Sequence, residues 1–389
     1  MAFVAGQGAL TVGEVRAGVA RVAAGLAAAG IGPGDRVAID ATQRLESYLL
    51  ILATLLSGAA VVCITLANGP DALRAMIEAA PARLTFTAAR SALDGLSAAG
   101  QVVDLGPVAE PASDFEAWLA GCPEPVDDAL PDTRVSPADV ALVVFTSGST
   151  GAPKLILTPH EAVFRSTEAM QAMFGFGPDD IFASSTDVTA FSAFRSLVTL
   201  PFLCGGRVVL PSAQALTQPL ALAEDCGAFG VTRLTVVPNV LRGMAKMVDR
   251  ITPGALTRLR TVFSGAGVLD QGTRDLFFDR FGVSTVDYYA AREFGSALYA
   301  YPDSTHTVSS RGGQAMNCLV RVIDGDGAAL PPGVMGEVML HSDGLTLSPL
   351  AGTHPQWVGW HQTGDLGILH PDGLLQIVGR SRDVIKGAD

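Results

Sequence analysis

Val143-Val144-Phe145-Thr146-Ser147-Gly148-Ser149-Thr150-Gly151-Ala152-Pro153-Lys154 is the stretch on which the reading of this chain turns. An apolar, strand-like run from Val140 to Phe145 stops abruptly, and hydroxyl residues, glycines and a lysine follow. Glycine lets a backbone turn inward so that successive N–H groups face an anion. The hydroxyls of Thr146, Ser147, Ser149 and Thr150 add donors around Gly148 and Gly151, and Lys154 adds a positive charge. This is the chemistry of a phosphate-holding loop. It is not the common NTPase P-loop, in which Lys and Ser/Thr follow the second glycine directly. Here Pro153 intervenes and Leu155 follows the lysine. A Gly/Ser-rich surface loop after a strand has the same composition, so the stretch needs support from the rest of the chain.

Composition narrows the classes. A chain of 389 residues is long enough for two or three domains or subdomains. With 49% hydrophobic and 16% charged residues it carries a large core and is not disordered. A net charge of −12 repels a nucleic-acid backbone, so an anionic nucleotide must be held by a local positive site. The cysteines Cys63, Cys122, Cys204, Cys226 and Cys318 are odd in number and form no Cys-x-x-Cys pair. They read as free thiols in a reducing compartment. No basic region precedes an N-terminal apolar run, and the apolar stretch Leu49 to Leu56 is too short to span a bilayer. A soluble, cytoplasmic protein without a membrane span is the expectation. Only Lys154, Lys246 and Lys386 are lysines, so almost all cationic positions are arginine. Two of those three fall in motifs, where an ammonium and a guanidinium fork are not interchangeable.

Outward from the loop, the chain alternates helices and strands. Thr11-Val12-Gly13-Glu14 has capping-box spacing, and Val15, Val19, Val22 and Leu26 recur at helical spacing. Strands are expected at 37–39, 61–65, 84–87 and 102–105, with helices near 45–56, 71–79 and 88–96. After the loop, helices near 160, 191–203, 216–226, 240–247 and 269–281 alternate with strands at 181–183, 207–210, 234–237, 261–263 and 284–288. This pattern predicts an α/β fold: two α/β subdomains with mainly parallel sheets, residues 1–121 and 139–304, joined by a Pro- and Asp-rich linker at 122–138. From 305 to 378 short strands separated by turns such as Pro331-Pro332-Gly333 predict a small, β-barrel-like subdomain.

Asp287-Tyr288-Tyr289-Ala290-Ala291-Arg292-Glu293 follows a strand, and ligands of open α/β sheets bind at carboxyl ends of strands. A tyrosine there can stack on a base, and a carboxylate beside phosphates suits Mg²⁺. A buried aromatic pair with a surface Arg–Glu pair fits the same residues. Ser264-Gly265-Ala266-Gly267 is a small-residue loop that admits a planar ligand or simply turns a strand into a helix. Thr363-Gly364-Asp365 offers a carboxylate with two acceptor oxygens, suited to a diol, or a β-turn aspartate.

Together these stretches, with Gly379-Arg380-Ser381-Arg382-Asp383-Val384-Ile385-Lys386, resemble the ordered motifs of the adenylate-forming superfamily: acyl-CoA synthetases, peptide-synthetase adenylation domains and firefly luciferase. The resemblance covers nearly the whole chain. It implies the fold of that superfamily's large N-terminal domain, with 379–389 as the hinge and the smaller C-terminal domain absent. It implies ATP and Mg²⁺ as cofactors, and a carboxylic acid activated as acyl-adenylate for transfer to coenzyme A or a carrier-protein thiol. It implies that Thr146 to Gly151 and Lys154 hold phosphate. Gly265, Ala266, Gly267, Asp287, Tyr288 and Tyr289 would line the adenine site, Asp365 and Arg380 would hold the ribose, and Glu293 would bind Mg²⁺. Lys154, Arg292 and Glu293 are the expected catalytic residues. Where the family carries Tyr-Gly-x-Thr-Glu, Ala290 replaces Gly and Arg292 replaces Thr, and Asp287 takes the place of an Asn. For the acid pocket Asp187, Phe191, Phe263, Ser296 and Ala297 are the candidates, Asp187 being equally readable as a helix cap. Two other readings stay open: an amino-acid-activating adenylation domain, and a nucleotide-binding pseudoenzyme.

Overall fold

The structure, a computed structural model, describes residues 2–4, 8–106, 113–124, 135–146, 153–291, 295–299, 307–308, 312–316, 318–342 and 359–381. The first sheet has six strands in the spatial order Gln101–Asp104, Leu84–Thr87, Arg36–Asp40, Ala60–Ile64, Val140–Thr146, Lys154–Pro159. All pair in parallel except the last, which runs back along Val140–Thr146. Val37, Ile39, Val61, Val62 and Ile64 are all fully buried. Such unbroken apolar runs are what parallel strands need when helices cover both faces. The helix Val12–Ala28 supplies one cover; Thr11 caps it through the expected box, and Val15, Val19, Val22 and Leu26 are its buried stripe.

The second sheet has nine strands, ordered Gln314–Ala315, Gly295–Tyr299, Ser284–Ala291, Thr261–Ser264, Arg233–Val236, Ile181–Ser184, Arg207–Leu210, Ala2–Val4, Gly8–Leu10. Four antiparallel strands, Leu319–Ile323, Met335–His341, His361–Leu369 and Leu375–Arg380, form a third sheet as a simple meander. Among the described residues the expected barrel-like unit is therefore an open four-stranded sheet.

The structure departs from the sequence reading in four places. The strands flanking the phosphate-loop stretch pair with the first sheet, not with the second half of the chain. The Pro-rich linker marks a crossing but does not encode which sheet the next strand joins. The short N-terminal strands add to the second sheet's far edge. The helix expected at 88–96 is two 3₁₀ turns, Arg90–Leu93 and Ser97–Ala99, interrupted by Gly95 at φ 73°. The helix Ser113–Ala120 is not among the expected elements; its Phe115 and Trp118 pack edge-on against Phe86.

Candidate active site

Two neighbouring strands of the second sheet, Thr261–Ser264 and Ser284–Ala291, bring polar residues side by side. Thr261–Ser264 runs into Gly265-Ala266-Gly267, and Ser264 pairs in register with Asp287. Gly265 is required by packing: a Cβ there would lie 2.3 Å from the Tyr288 ring. Ala266 is the only non-glycine in the left-handed region among the described residues, at φ 61°, a conformation that costs an L-residue about 1–2 kcal/mol. Backbone strain of this kind collects at ligand sites. The Ser264 hydroxyl is buried with no hydrogen-bond partner among the described residues, an orphan of the kind that a ligand satisfies.

The strand Ser284–Ala291 alternates between two surroundings, as a strand must. Val286 and Tyr288 point into a cluster with Phe263, Phe176, Phe182 and Met170. Asp287 and Tyr289 point toward Val308 and the third sheet. Asp287 is 4% exposed, and its carboxylate accepts the Val308 N–H at 2.7 Å. Burial pushes its pKa up to about 7, against the opposing pull of backbone hydrogen bonds and Arg274.

Tyr289 reaches across to the third sheet, where its hydroxyl donates to the Asp365 carboxylate. The other Asp365 oxygen meets Arg380 Nε at 2.8 Å. Asp365 and Arg380 face one another in register on adjacent strands, so the pair is set by the meander itself. The turn is built locally: Thr363 Oγ1 accepts the Asp365 N–H at 3.0 Å and donates to the Val338 carbonyl at 2.9 Å, while Gly364 takes φ 71°. Ser381 Oγ donates to the Gly364 carbonyl at 2.9 Å. The Asp365 side chain is 6% exposed and that of Arg380 48%. The Tyr289 phenol is held well above its usual pKa, first by burial and then by the Asp365 charge, and so remains a donor.

The structure thus brings Tyr289, Asp365 and Arg380 together, and Gly265, Phe263 and Tyr288 together. Lys154 is exposed and opposite Thr146 in register, so the strands hold both ends of the phosphate-loop stretch side by side. Ser147, Gly148, Ser149, Thr150 and Gly151, like Arg292 and Glu293, lie outside the described residues. Ser296 and Ala297 belong to the strand Gly295–Tyr299, their side chains outside the description. Asp187 accepts hydrogen bonds from the Thr189 N–H, at 3.1 Å, and from the Thr189 hydroxyl. It closes the turn before the helix that begins at Phe191. Phe191 packs with Val188, Phe194 and the first sheet's core, in a different cluster from Phe263 and Tyr288.

Two features escaped the sequence reading. The helical stretch from Phe191 to Cys204 contains a π-helical turn, Arg195–Thr199, a form that recurs at functional sites. Its Arg195, 1% exposed, donates to Ser166 Oγ at 2.8 Å and lies over the Phe191 ring. An arginine inside the apolar run Phe194 to Leu200 was the available signal. Gln43, from the first sheet's side, donates to the carbonyls of Ser184 (3.1 Å) and Thr186 (2.6 Å). It joins the carboxyl ends of strands in the two sheets, and nothing local in sequence marks it.

The two mainly parallel sheets and the four-stranded meander form an α/β fold in which a buried carboxylate, Asp365, paired with the Arg380 guanidinium, lies on the third sheet. The chain belongs to the AMP-binding enzyme family, whose model matches residues 1–348. Sulfoacetate–CoA ligase of Cupriavidus necator is 27% identical over 98% of this chain and 75% of its own length. The fatty acid–[acyl-carrier-protein] ligase ScoC of Streptomyces coeruleorubidus is 27% identical over 94% of this chain and 71% of its own. ATP-bound MatB from Rhodopseudomonas palustris superimposes with a TM-score of 0.85 at 22% identity, over 99% of this chain and 76% of that one. The protein is an adenylate-forming ligase that activates a carboxylic acid. No described helix is long and apolar enough to cross a membrane.

Proposed function

We propose that the acyl-adenylate forms where the second and third sheets meet, with the Tyr289–Asp365–Arg380 constellation holding the nucleoside. The single observation that carries this is the Asp365 carboxylate, buried and fixed between Tyr289 Oη and Arg380 Nε. A carboxylate offers about four acceptor positions, so each Asp365 oxygen takes a ribose hydroxyl in addition to its present partner. Arg380 balances the charge of the carboxylate beside the triphosphate. The base lies along the Ser264–Gly267 loop, where the orphan Ser264 hydroxyl gains a partner. Asp287 serves the adenine edge. Lys154 and the hydroxyl-rich stretch from Thr146 to Gly151 take the β- and γ-phosphates.

In the reaction a carboxylate oxygen of the acid attacks the α-phosphorus of ATP. The bond from that phosphorus to the bridging oxygen breaks, and pyrophosphate leaves with its charge held by Lys154 and backbone N–H groups. The chain's contribution is positioning and charge neutralisation. Mg²⁺ supplies further neutralisation of phosphate charge when bound; a carboxylate such as Glu293 is the hard oxygen donor that such a cation prefers. No cluster of three or more His, Cys, Asp or Glu suited to a metal occurs among the described residues. Arg292, in place of the family Thr, adds a guanidinium to the same phosphates. The acid sits near Phe263, Ser296 and Ala297. The acceptor is coenzyme A or a carrier-protein thiol. The five free cysteines fit a cytoplasmic setting.

The test is ATP–pyrophosphate exchange over a panel of carboxylic acids, with ATP affinity measured in parallel for Asp365→Ala. Loss of the charged acceptor lowers affinity by about tenfold or more, since hydrogen bonds to ionised groups contribute roughly 1.5–3 kcal/mol. Unchanged affinity would remove Asp365 from the nucleotide site.

A further inference from the structure

An apolar cavity of about 240 Å³ lies at the seam between the two α/β units. Gly205 and Gly206 in its wall precede the strand Arg207–Leu210. It therefore opens at that strand's amino end, whereas the nucleotide site gathers at carboxyl ends. Val12, Val15 and Val19 form one wall, from a single helix face; Leu56, Pro201, Phe202 and Val208 form the others. Val12 and Phe202 at the rim are 70% and 60% exposed. The two remaining side chains are polar. Tyr48 is 6% exposed, and its hydroxyl makes no hydrogen bond among the described residues. Arg16 is exposed at the rim and, among the described residues, forms neither an ion pair nor a hydrogen bond.

We propose that this cavity is a second, non-catalytic binding site for a small apolar monocarboxylate. Its tail lies among the valines, Leu56 and Phe202, and its carboxylate between Arg16 and the Tyr48 hydroxyl. The Tyr48 O–H in the wall and the Arg16 guanidinium at the rim are donors of the kind from which a carboxylate accepts. Apolar walls with a few placed polar groups are the general form of a small-ligand site. The volume falls below the roughly 300–1,000 Å³ of drug-sized pockets, which selects a short chain or a single ring. In a chain of net charge −12 the surrounding field repels anions, so an uncompensated cation at an apolar mouth is the element that admits a carboxylate. Burial also raises the Tyr48 phenol, which stays protonated as a donor.

The experiment titrates octanoate, and octan-1-ol for comparison, into the full chain by calorimetry. Expected is saturable one-to-one octanoate binding, weakened at least tenfold by Arg16→Glu and several-fold by Tyr48→Phe, with octan-1-ol bound more weakly throughout. Arg16 is exposed and Tyr48 donates no hydrogen bond, so both variants keep the native unfolding midpoint. Absence of saturable binding would overturn the proposal. So would octanoate affinity unchanged in both variants, which places that ligand elsewhere, or equal affinity for the alcohol. Dimers seen by light scattering and abolished by Arg16→Glu would assign the patch to a second copy of the chain and equally overturn it.

Discussion

Replacing Asp287 by Asn removes a pH dependence that the fold builds in. Asp287 is 4% exposed and its pKa is pushed from 3.8 to about 7, chiefly by burial. The folded-state pKa lies above the unfolded one, so the protonated form's contribution is fully present below about pH 4 and lost as pH rises through about 7. A gap of roughly three pKa units corresponds to about 4 kcal/mol, at about 1.4 kcal/mol per unit. Nearby Arg274 and relaxation around the carboxylate reduce what is measured, and roughly 2–4 kcal/mol is expected. Asp287→Asn keeps an acceptor for the Val308 N–H and carries no charge. The variant is therefore expected to lie within about 1 kcal/mol of the parent near pH 4.5 and to exceed its stability more clearly at pH 8. Urea unfolding followed at several pH values reads the difference between the two proteins. A difference that stays constant from pH 4.5 to 8, or a variant less stable at pH 8, refutes burial as the dominant influence on this carboxyl. Because Asn is the residue that the resembled family carries here, ATP binding is expected to persist, which calorimetry checks.

Gly265→Ala places a methyl 2.3 Å from the buried Tyr288 ring. It should destabilise by about 1–3 kcal/mol, with part of the loss recovered in the double variant with Tyr288→Leu; additive effects in a denaturation cycle would argue against the contact. Ala266→Gly relieves the left-handed strain and should stabilise by about 1 kcal/mol, and a loss of stability in the same assay counts against it. Glu293→Gln should lower magnesium-dependent pyrophosphate exchange far more than it shifts the unfolding midpoint. Superimposable magnesium titrations would remove Glu293 as the metal ligand.

The strand–helix alternation was legible because buried parallel strands need apolar runs and their covering helices need one apolar stripe. Val61 to Ile64 and the Val15–Leu26 stripe show both. The turn at Thr363-Gly364-Asp365 was legible because it is a contiguous string, built from its own hydroxyl and glycine. The 3₁₀ turns at 90–99 and the π-helical turn at 195–199 were not, since small shifts in hydrogen-bond partner leave the apolar period almost unchanged. Arg195 and Gln43 were missed for a different reason. Their partners, Ser166 for one and Ser184 and Thr186 for the other, are distant in sequence, and no local pattern announces them.

By itself the sequence determined the α/β class and the family-type motifs, because propensity, periodicity and short-range turn chemistry are local. Only the tertiary structure decided that the strands around Ser147–Gly151 join the first sheet. It alone decided that Tyr289 faces Asp365 while Tyr288 faces Phe263, and that Arg16 and Tyr48 meet at one cavity. These are consequences of strand register and of packing between distant segments. A one-residue change of register would exchange the two tyrosines without altering any local preference.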